Sequence, residues 1–245
     1  MSHQPPFLRL PRNHLGRDFV IGDIHGHFSR VERELERIGF RPTRDRLICV
    51  GDLVDRGPES ERAADWLGYD WFFAVMGNHD ASLLHRWGLL GAKFELWHDH
   101  HGWLERLSSD AQARLRERLA ALPWALEIDT AAGPVGIVHA EVPEAFASWQ
   151  AFLRRLDDEQ VRSQAVSNRD LARRADDLDA PGEYADHRLA GVAWTIHGHT
   201  PRRYCRPGRL GNRLWIDTMG WFDGTPQYGE ARFTIVDIRA PLTPL

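Results

Sequence analysis

Cysteine is nearly absent. Only Cys49 and Cys205 occur among 245 residues. One lies inside an apolar run and the other in an Arg/Pro/Gly segment. No disulfide framework is therefore expected, and a reducing cytoplasm is the expected compartment. Long hydrophobic runs are missing as well. No stretch approaches eighteen uninterrupted apolar residues, so no membrane span is expected. The first thirty residues never join a basic start to an apolar run and a small-residue cleavage site, so no secretory leader is expected. Nor does charge of one sign dominate. The 31 Lys and Arg stand against 35 Asp and Glu, a formal net charge of -4, which gives no sign of a nucleic-acid or membrane surface. Internal repeats and low-complexity linkers are also absent. What is present is 42% hydrophobic residues and ten tryptophans, a composition that suits a buried core. One domain over residues 1–245 is the expectation.

The readable strands are short apolar runs: "DFVI" (18–21), "RLICV" (46–50), "WFFAV" (71–75), "VGIV" (135–138) and "VAWTI" (192–196). Their lack of polar alternation suits strands covered on both faces. Behind Ser29, the residues Val31, Leu35 and Ile38 recur at i, i+4 and i+7, which is one stripe of an amphipathic helix. Strand, helix, strand predicts an α/β sheet with right-handed crossovers. Helical pattern is expected across about 81–122, where Pro123 stops "SSDAQARLRERLAAL". It is expected again across about 141–190, in which "LARRADDLDAPGEYADHR" reads as loop-rich. Strand pattern returns at "RLWID" (213–217) and "ARFTIVDI" (231–238).

The first five runs end alike. "VIGDIHG" delivers Asp23 and His25, "CVGDLVDRG" delivers Asp52, Asp55 and Arg56, and "AVMGNHD" delivers Asn78, His79 and Asp80; "IVHAE" and "TIHGHT" deliver His139 and His199. Carboxyl ends of parallel strands share an edge, and that edge is where α/β proteins bind ligands. Several carboxylates at a partly buried edge cost several kcal/mol each without counter-charge. One arginine cannot neutralise them all, whereas divalent cations can. Aspartate and asparagine oxygens beside imidazole, with no thiolate, suit Mn, Fe or Zn better than a structural zinc or calcium site. Asp52 is the natural candidate to bridge a pair of such ions.

In order and spacing, "GDIHG", "GDLVDRG", "GNHD", "HA" after a strand, and "GHT" resemble the signature of the calcineurin-like metallophosphoesterases. Within these the likeness is to the phosphoprotein phosphatase family, most of all its small bacterial and phage members, and it covers roughly residues 18–220. The resemblance implies a four-layer α/β/β/α sandwich of two mixed sheets, with helical elaborations at about 81–122 and 141–190. It implies two divalent metal ions, Mn first and Fe or Zn as alternatives. Asp23 and His25 would hold the first metal, Asn78, His139 and His199 the second, with Asp52 bridging. His79 would be the general acid held by Asp55, and Arg56 a phosphate clamp. Arg169 in "SNRD" stands where the family commonly has a second phosphate arginine, with Arg173 and Arg174 as competitors. The implied reaction is one-step hydrolysis of a phosphate monoester by metal-bridging hydroxide.

The substrate expected first is a phosphorylated protein or a small phosphoester, with serine/threonine phosphatase as the implied activity. Met76 stands where such phosphatases usually carry arginine, and Asp80 where they commonly have glutamate. Both resemble the diadenosine tetraphosphatases, so a dinucleoside polyphosphate hydrolase is the alternative, while Asp55 favours the phosphatases. An inactive metal-binding adaptor is a third reading. His197 is expected to pack or hydrogen-bond inside its strand, and Asp80 to make a structural hydrogen bond. His98, His100 and His101 of "WHDHHGW" are expected on a solvated surface or a wall of the cleft.

Overall fold

Apolar residues of β2 (Asp18–Ile21) and β3 (Arg46–Cys49) enter two different interiors. Val20 and Ile48 join Leu126, Ile137, Ile196 and Leu214 in one cluster. Phe19, Ile21, Leu47 and Cys49 join Val31, Leu35, Trp66 and Leu83 in another. Successive side chains of a strand point to opposite faces. A strand lying between a second sheet and a layer of helices therefore has no polar face, which is why these runs lack alternation.

A computed structural model describes residues 6–96, 100–177, 187–227 and 229–245. The smaller sheet has the order β11 (Ile235–Asp237), β2, β3, β4 (Phe72–Ala74), with β2, β3 and β4 parallel and β11 antiparallel to β2. The larger sheet runs β1 (Phe7–Leu10), β5 (Ala125–Ile128), β6 (Val135–Ile137), β8 (Trp194–His197), β10 (Arg213–Trp215), β9 (Gly208–Leu210), β7 (Asp176–Asp177). Within it β6, β8 and β10 are parallel. The cluster containing Val20 and Ile48 draws on both sheets and forms the layer between them. Helices cover the outer faces. The stripe expected behind Ser29 is α1 (Phe28–Arg37), with Phe28, Val31 and Leu35 buried. On the larger sheet, α5 (Trp149–Leu153) lays Trp149 against Gly136, where an added Cβ would stand 2.7 Å from the ring. The mixed α/β architecture expected from the motifs is the one observed.

Several elements differ in detail. The five runs that end in candidate metal ligands do not share one sheet edge: three end the smaller sheet and two the larger, and the two edges converge. The pattern at 81–122 resolves into α3 (Asn78–Arg86), two short 3-10 turns and α4 (Ser109–Ala120). The one at 141–190 gives α5, α6 (Glu159–Ser167), a 3-10 turn at Ala172–Arg174 and β7; residues 178–186 lie outside the described residues. Strands β1, β5 and β9 carry no strong run of their own. "FLRL" and "ALEI" each hold a charged residue, and these two, Arg9 and Glu127, pair at 2.8 Å across the parallel ladder. Among the described residues no helix is long and apolar enough to cross a membrane.

Candidate active site

Each parallel strand that reaches the converging edges ends in a sharp turn. Among the described residues seven non-glycines hold positive φ, and five of them are His25, Asp52, Asp55, Arg56 and His199. Strain of this kind persists only where the surroundings over-determine it. Here the chain must leave the strand at once and aim a side chain inward. Two glycines make room for the carboxylates: a Cβ at Gly77 would stand 2.2 Å from Asp52 Oδ1, and one at Gly198 would stand 1.9 Å from Asp23 Oδ1.

Three histidines share one arrangement. His25 Nδ1 donates to Val54 O at 2.9 Å, His139 Nδ1 to Val50 O at 2.9 Å, and His199 Nε2 to Ser167 O at 3.0 Å. A backbone carbonyl only accepts, so the proton sits on that nitrogen. The other nitrogen of each ring turns inward. His25 Nε2 is 3.4 Å from Asp52 Oδ2, and His139 Nε2 is 3.4 Å from Asp52 Oδ1. Asn78 Oδ1 stands 2.9 Å from His139 Nε2 and 2.7 Å from His199 Nδ1. With both rings neutral and in this amide orientation, a lone-pair oxygen faces two lone-pair nitrogens, an arrangement that a cation satisfies.

Ligand atoms of His25, Asp52 and His79, and likewise of Asp52, His139 and His199, lie within 4.8 Å of one another, so Asp52 belongs to both groups. Asp23 is close by but turned, accepting from His199 N at 3.1 Å through both oxygens.

The electrostatics carry the same demand. Burial, and then Asp217, push the Asp23 carboxyl well above its usual range. Burial raises Asp217 too, and its Oδ2 is buried without a hydrogen-bond partner. Burial opposes the charge of Asp52, but His139, His79 and His25 outweigh it and hold that carboxyl down. Burial keeps His25 and His199 neutral, as metal ligands must be. Burial also opposes protonation of His139, yet Asp52 and Asp23 drive it up to about 9. An uncompensated group of buried acids around imidazoles, each oriented by a carbonyl, fits divalent cations.

Beside this group lies a second one. His79 Nδ1 donates to Asp55 Oδ2 at 2.6 Å, and Arg56 Nη2 is 3.4 Å from His79 Nε2. Arg56 is exposed and lies over the Trp221 indole, 4.1 Å from its centroid. Half-buried Arg169 reaches the opposite side, donating to His199 O at 3.0 Å. Of its competitors, Arg174 pairs with Glu144, and Arg173 is exposed, its backbone N–H donating to Arg169 O at 3.0 Å. Asp80 accepts from the backbone N–H groups of Asp52, Leu53 and Gly77 at 2.9–3.0 Å. Buried His197 donates from Nδ1 to Val138 O and stacks on Trp215. Met76 is fully buried in the core.

Three residues near the site, Asp217, Trp221 and Trp103, escape the sequence reading, and for His101 that reading expects only a solvated surface or a wall of the cleft. Asp217 ends β10 as the other carboxylates end their strands, so the same signal was present in "RLWID". Trp221 follows it, donating from Nε1 to Asp217 Oδ1 at 3.0 Å and meeting the His25 ring edge-on. His101 and Trp103 both donate to Asp55 Oδ1, at 2.9 and 2.7 Å. Nothing in the spacing of "WHDHHGW" announces that contact. His101 is thus buried rather than solvated, whereas His100 is exposed with its ring 5.0 Å from that of His79. His98 lies outside the described residues.

Two sheets converging on a carboxylate shared by two candidate metal-holding groups, with imidazoles, an amide and an arginine-flanked histidine beside it, fit a metal-dependent phosphoesterase. The family model for calcineurin-like phosphoesterases matches residues 19–203. The chain belongs to that family, whose fold implies a dinuclear divalent metal site. It is similar to serine/threonine-protein phosphatase 1 of Salmonella typhimurium, 33% identical over 234 residues, covering 91% of this chain and 96% of the relative. It is also similar to a symmetrical bis(5'-nucleosyl)-tetraphosphatase of Methylococcus capsulatus, 30% identical over 221 residues, with 84% and 74% coverage. A protein serine/threonine phosphatase structure from Saccharomyces cerevisiae shares the fold at a TM-score of 0.58 and 18% identity, covering 96% of this chain and 77% of that one.

Proposed function

We propose that this chain is a cytoplasmic phosphatase that hydrolyses phosphate monoesters, phosphoserine or phosphothreonine in proteins first among them, with Mn as its working metal. One domain would carry the site, its helical segments at 81–122 and 141–190 shaping the cleft. Asp23, His25 and Asp52 would hold one ion, and Asp52, Asn78, His139 and His199 the other. The two ions would supply Lewis acidity and a water-derived nucleophile near neutral pH.

The chain's own groups do the rest. Arg56, with its plane supported by Trp221, and Arg169 grip phosphoryl oxygens from two sides. His79, its Nδ1 donating to Asp55, delivers a proton from Nε2 to the leaving oxygen as an imidazolium that the Asp55 carboxylate stabilises. The observation that carries this reading is His79 set between Asp55 at 2.6 Å and Arg56 at 3.4 Å. An adaptor would have no use for that arrangement.

The second reading, a dinucleoside polyphosphate hydrolase, draws support from buried Met76, which leaves the position before Gly77 without a phosphate arginine. Metal-stripped protein offered p-nitrophenyl phosphate, a phosphothreonine peptide and diadenosine tetraphosphate, with and without Mn²⁺, separates the two. Mn-dependent turnover of the monoesters is expected. Preference for the dinucleotide would overturn the substrate class and leave the role of His79 standing. In either case His79→Asn should lower kcat by about 10²–10⁴-fold.

A further inference from the structure

The carboxylate that orients His79 is itself held from behind. Asp55 Oδ2 faces the acid, and Oδ1 accepts both His101 Nδ1 at 2.9 Å and Trp103 Nε1 at 2.7 Å. His101 continues through Nε2 to Ser82 Oγ at 3.2 Å. Ser82 stands three residues after His79 on α3, and residues three apart share a helix face. The hydrogen bonds therefore close a ring: acid, carboxylate, His101, and back to the acid's own helix. Asp55 is fully buried, and His79 and His101 are buried beside it. We propose that His101 and Trp103 are positioning residues for proton transfer by His79, acting through Asp55; this rests on the reading of His79 as general acid.

The physical ground is the freedom of a carboxylate. Held at one oxygen only, Asp55 can rotate about its χ2, and His79 would follow it. Two donors on Oδ1 fix the carboxylate plane, so that His79 Nε2 keeps its aim at the leaving oxygen. Burial alone would raise the Asp55 carboxyl, but hydrogen bonds from His101 and His79 bring it down to about 2, so it stays an acceptor. In the step served, the phosphorus–oxygen bond to the leaving group breaks and its electron pair stays on that oxygen. The oxygen takes the Nε2 proton, water supplies the new bond to phosphorus, and the proton that water releases restores His79. Misalignment of Nε2 costs most when the leaving oxygen is strongly basic, and least when it departs easily as an anion.

That dependence separates positioning from mere anchoring of the 102–106 turn. With Mn²⁺ added, kcat of the full chain and of His79→Asn, His101→Phe and Trp103→Phe is measured on ring-substituted phenyl phosphates, from phenyl to p-nitrophenyl. His79→Asn should lose roughly 10²-fold more on phenyl than on p-nitrophenyl phosphate. His101→Phe and Trp103→Phe should share that bias at about 10-fold each, as expected for one charge-assisted hydrogen bond. Equal falls on all esters, or none, in both variants beside a biased His79→Asn would overturn the positioning role alone. An unbiased His79→Asn would overturn the acid reading and the positioning role together. If His101→Phe does not fold, Trp103→Phe decides, because it keeps an aromatic ring at that position while removing the indole donor.

Discussion

His197 illustrates how a single buried ring can register pH without taking part in chemistry. Its Nδ1 donates to Val138 O and its Nε2 meets Thr195 Oγ1 at 2.9 Å, so the neutral ring is satisfied at both nitrogens. Burial, and then the nearby Arg213, lower it to about 3. The unfolded chain protonates this histidine near 6.5. Between those values the unfolded state holds more protons, so stability is full above about pH 6.5 and is lost as pH falls toward 3. The slope is about 1.4 kcal/mol per pH unit inside the window. Against His197→Gln, whose amide can serve both partners, the wild-type advantage in urea unfolding should shrink steadily from pH 6.5 to 4.5. An advantage independent of pH would contradict the assignment. The strained residues follow the same logic of context. Positive φ costs an L residue of order 1–3 kcal/mol, and His25, Asp52 and His199 hold it where their side chains meet.

At the scale of elements, the start of α1 depends on a residue from elsewhere. His27 offers no side-chain cap; Ser29 N instead donates to Glu59 Oε2 at 2.8 Å, and Ser29 Oγ bonds Glu59 Oε1. Arg62 donates to the same carboxylate at 3.2 Å. A negative group at a helix N-terminus satisfies orphan N–H donors and opposes the positive end of the dipole. Glu59→Ala should cost about 1 kcal/mol, as loss of a cap does, and lower Tm by about 2–4 °C. Calorimetry showing no change would mean that water replaces the carboxylate at no cost. This cap was not legible in the sequence, because thirty residues separate its partners. The stripe Val31, Leu35 was legible, since it repeats within the helix itself. Strands β1 and β5 fall between these cases: Arg9 and Glu127 break their apolar pattern, and only their pairing explains why both stay in the sheet.

The whole molecule is tied together at its candidate metal-binding groups. Asp23, His25, Asp52 and Asn78 come from the smaller sheet's edge, and His139, His199 and Asp217 from the larger one's. Without cations, burial raises the carboxyls of Asp23 and Asp217, and Asp217 pushes Asp23 further in the same direction. Cations that bind the folded chain alone stabilise it by mass action, roughly 3 kcal/mol at a hundredfold excess over Kd. Exhaustive chelation should therefore lower Tm by several degrees, with recovery on adding back Mn²⁺. A Tm indifferent to both treatments would mean that the two sheets meet without help from metal.

The sequence by itself determined which chemistry each strand end carries. Ligand type, glycine and strand lie within a few residues of one another, and local order alone is enough to write "GDIHG" or "GNHD". It also determined that the strands are covered on both faces. Tertiary structure decided which ends meet: three from one sheet and three from the other, brought together by the apolar layer between Val20, Ile48, Ile137 and Ile196. It decided, too, that Arg169 rather than Arg174 faces the site, and that His101 and Trp103 close on Asp55 from some fifty residues away. A hydrogen bond between distant residues leaves no periodic trace in a chain. Its partners are selected by where the packed layers hold them.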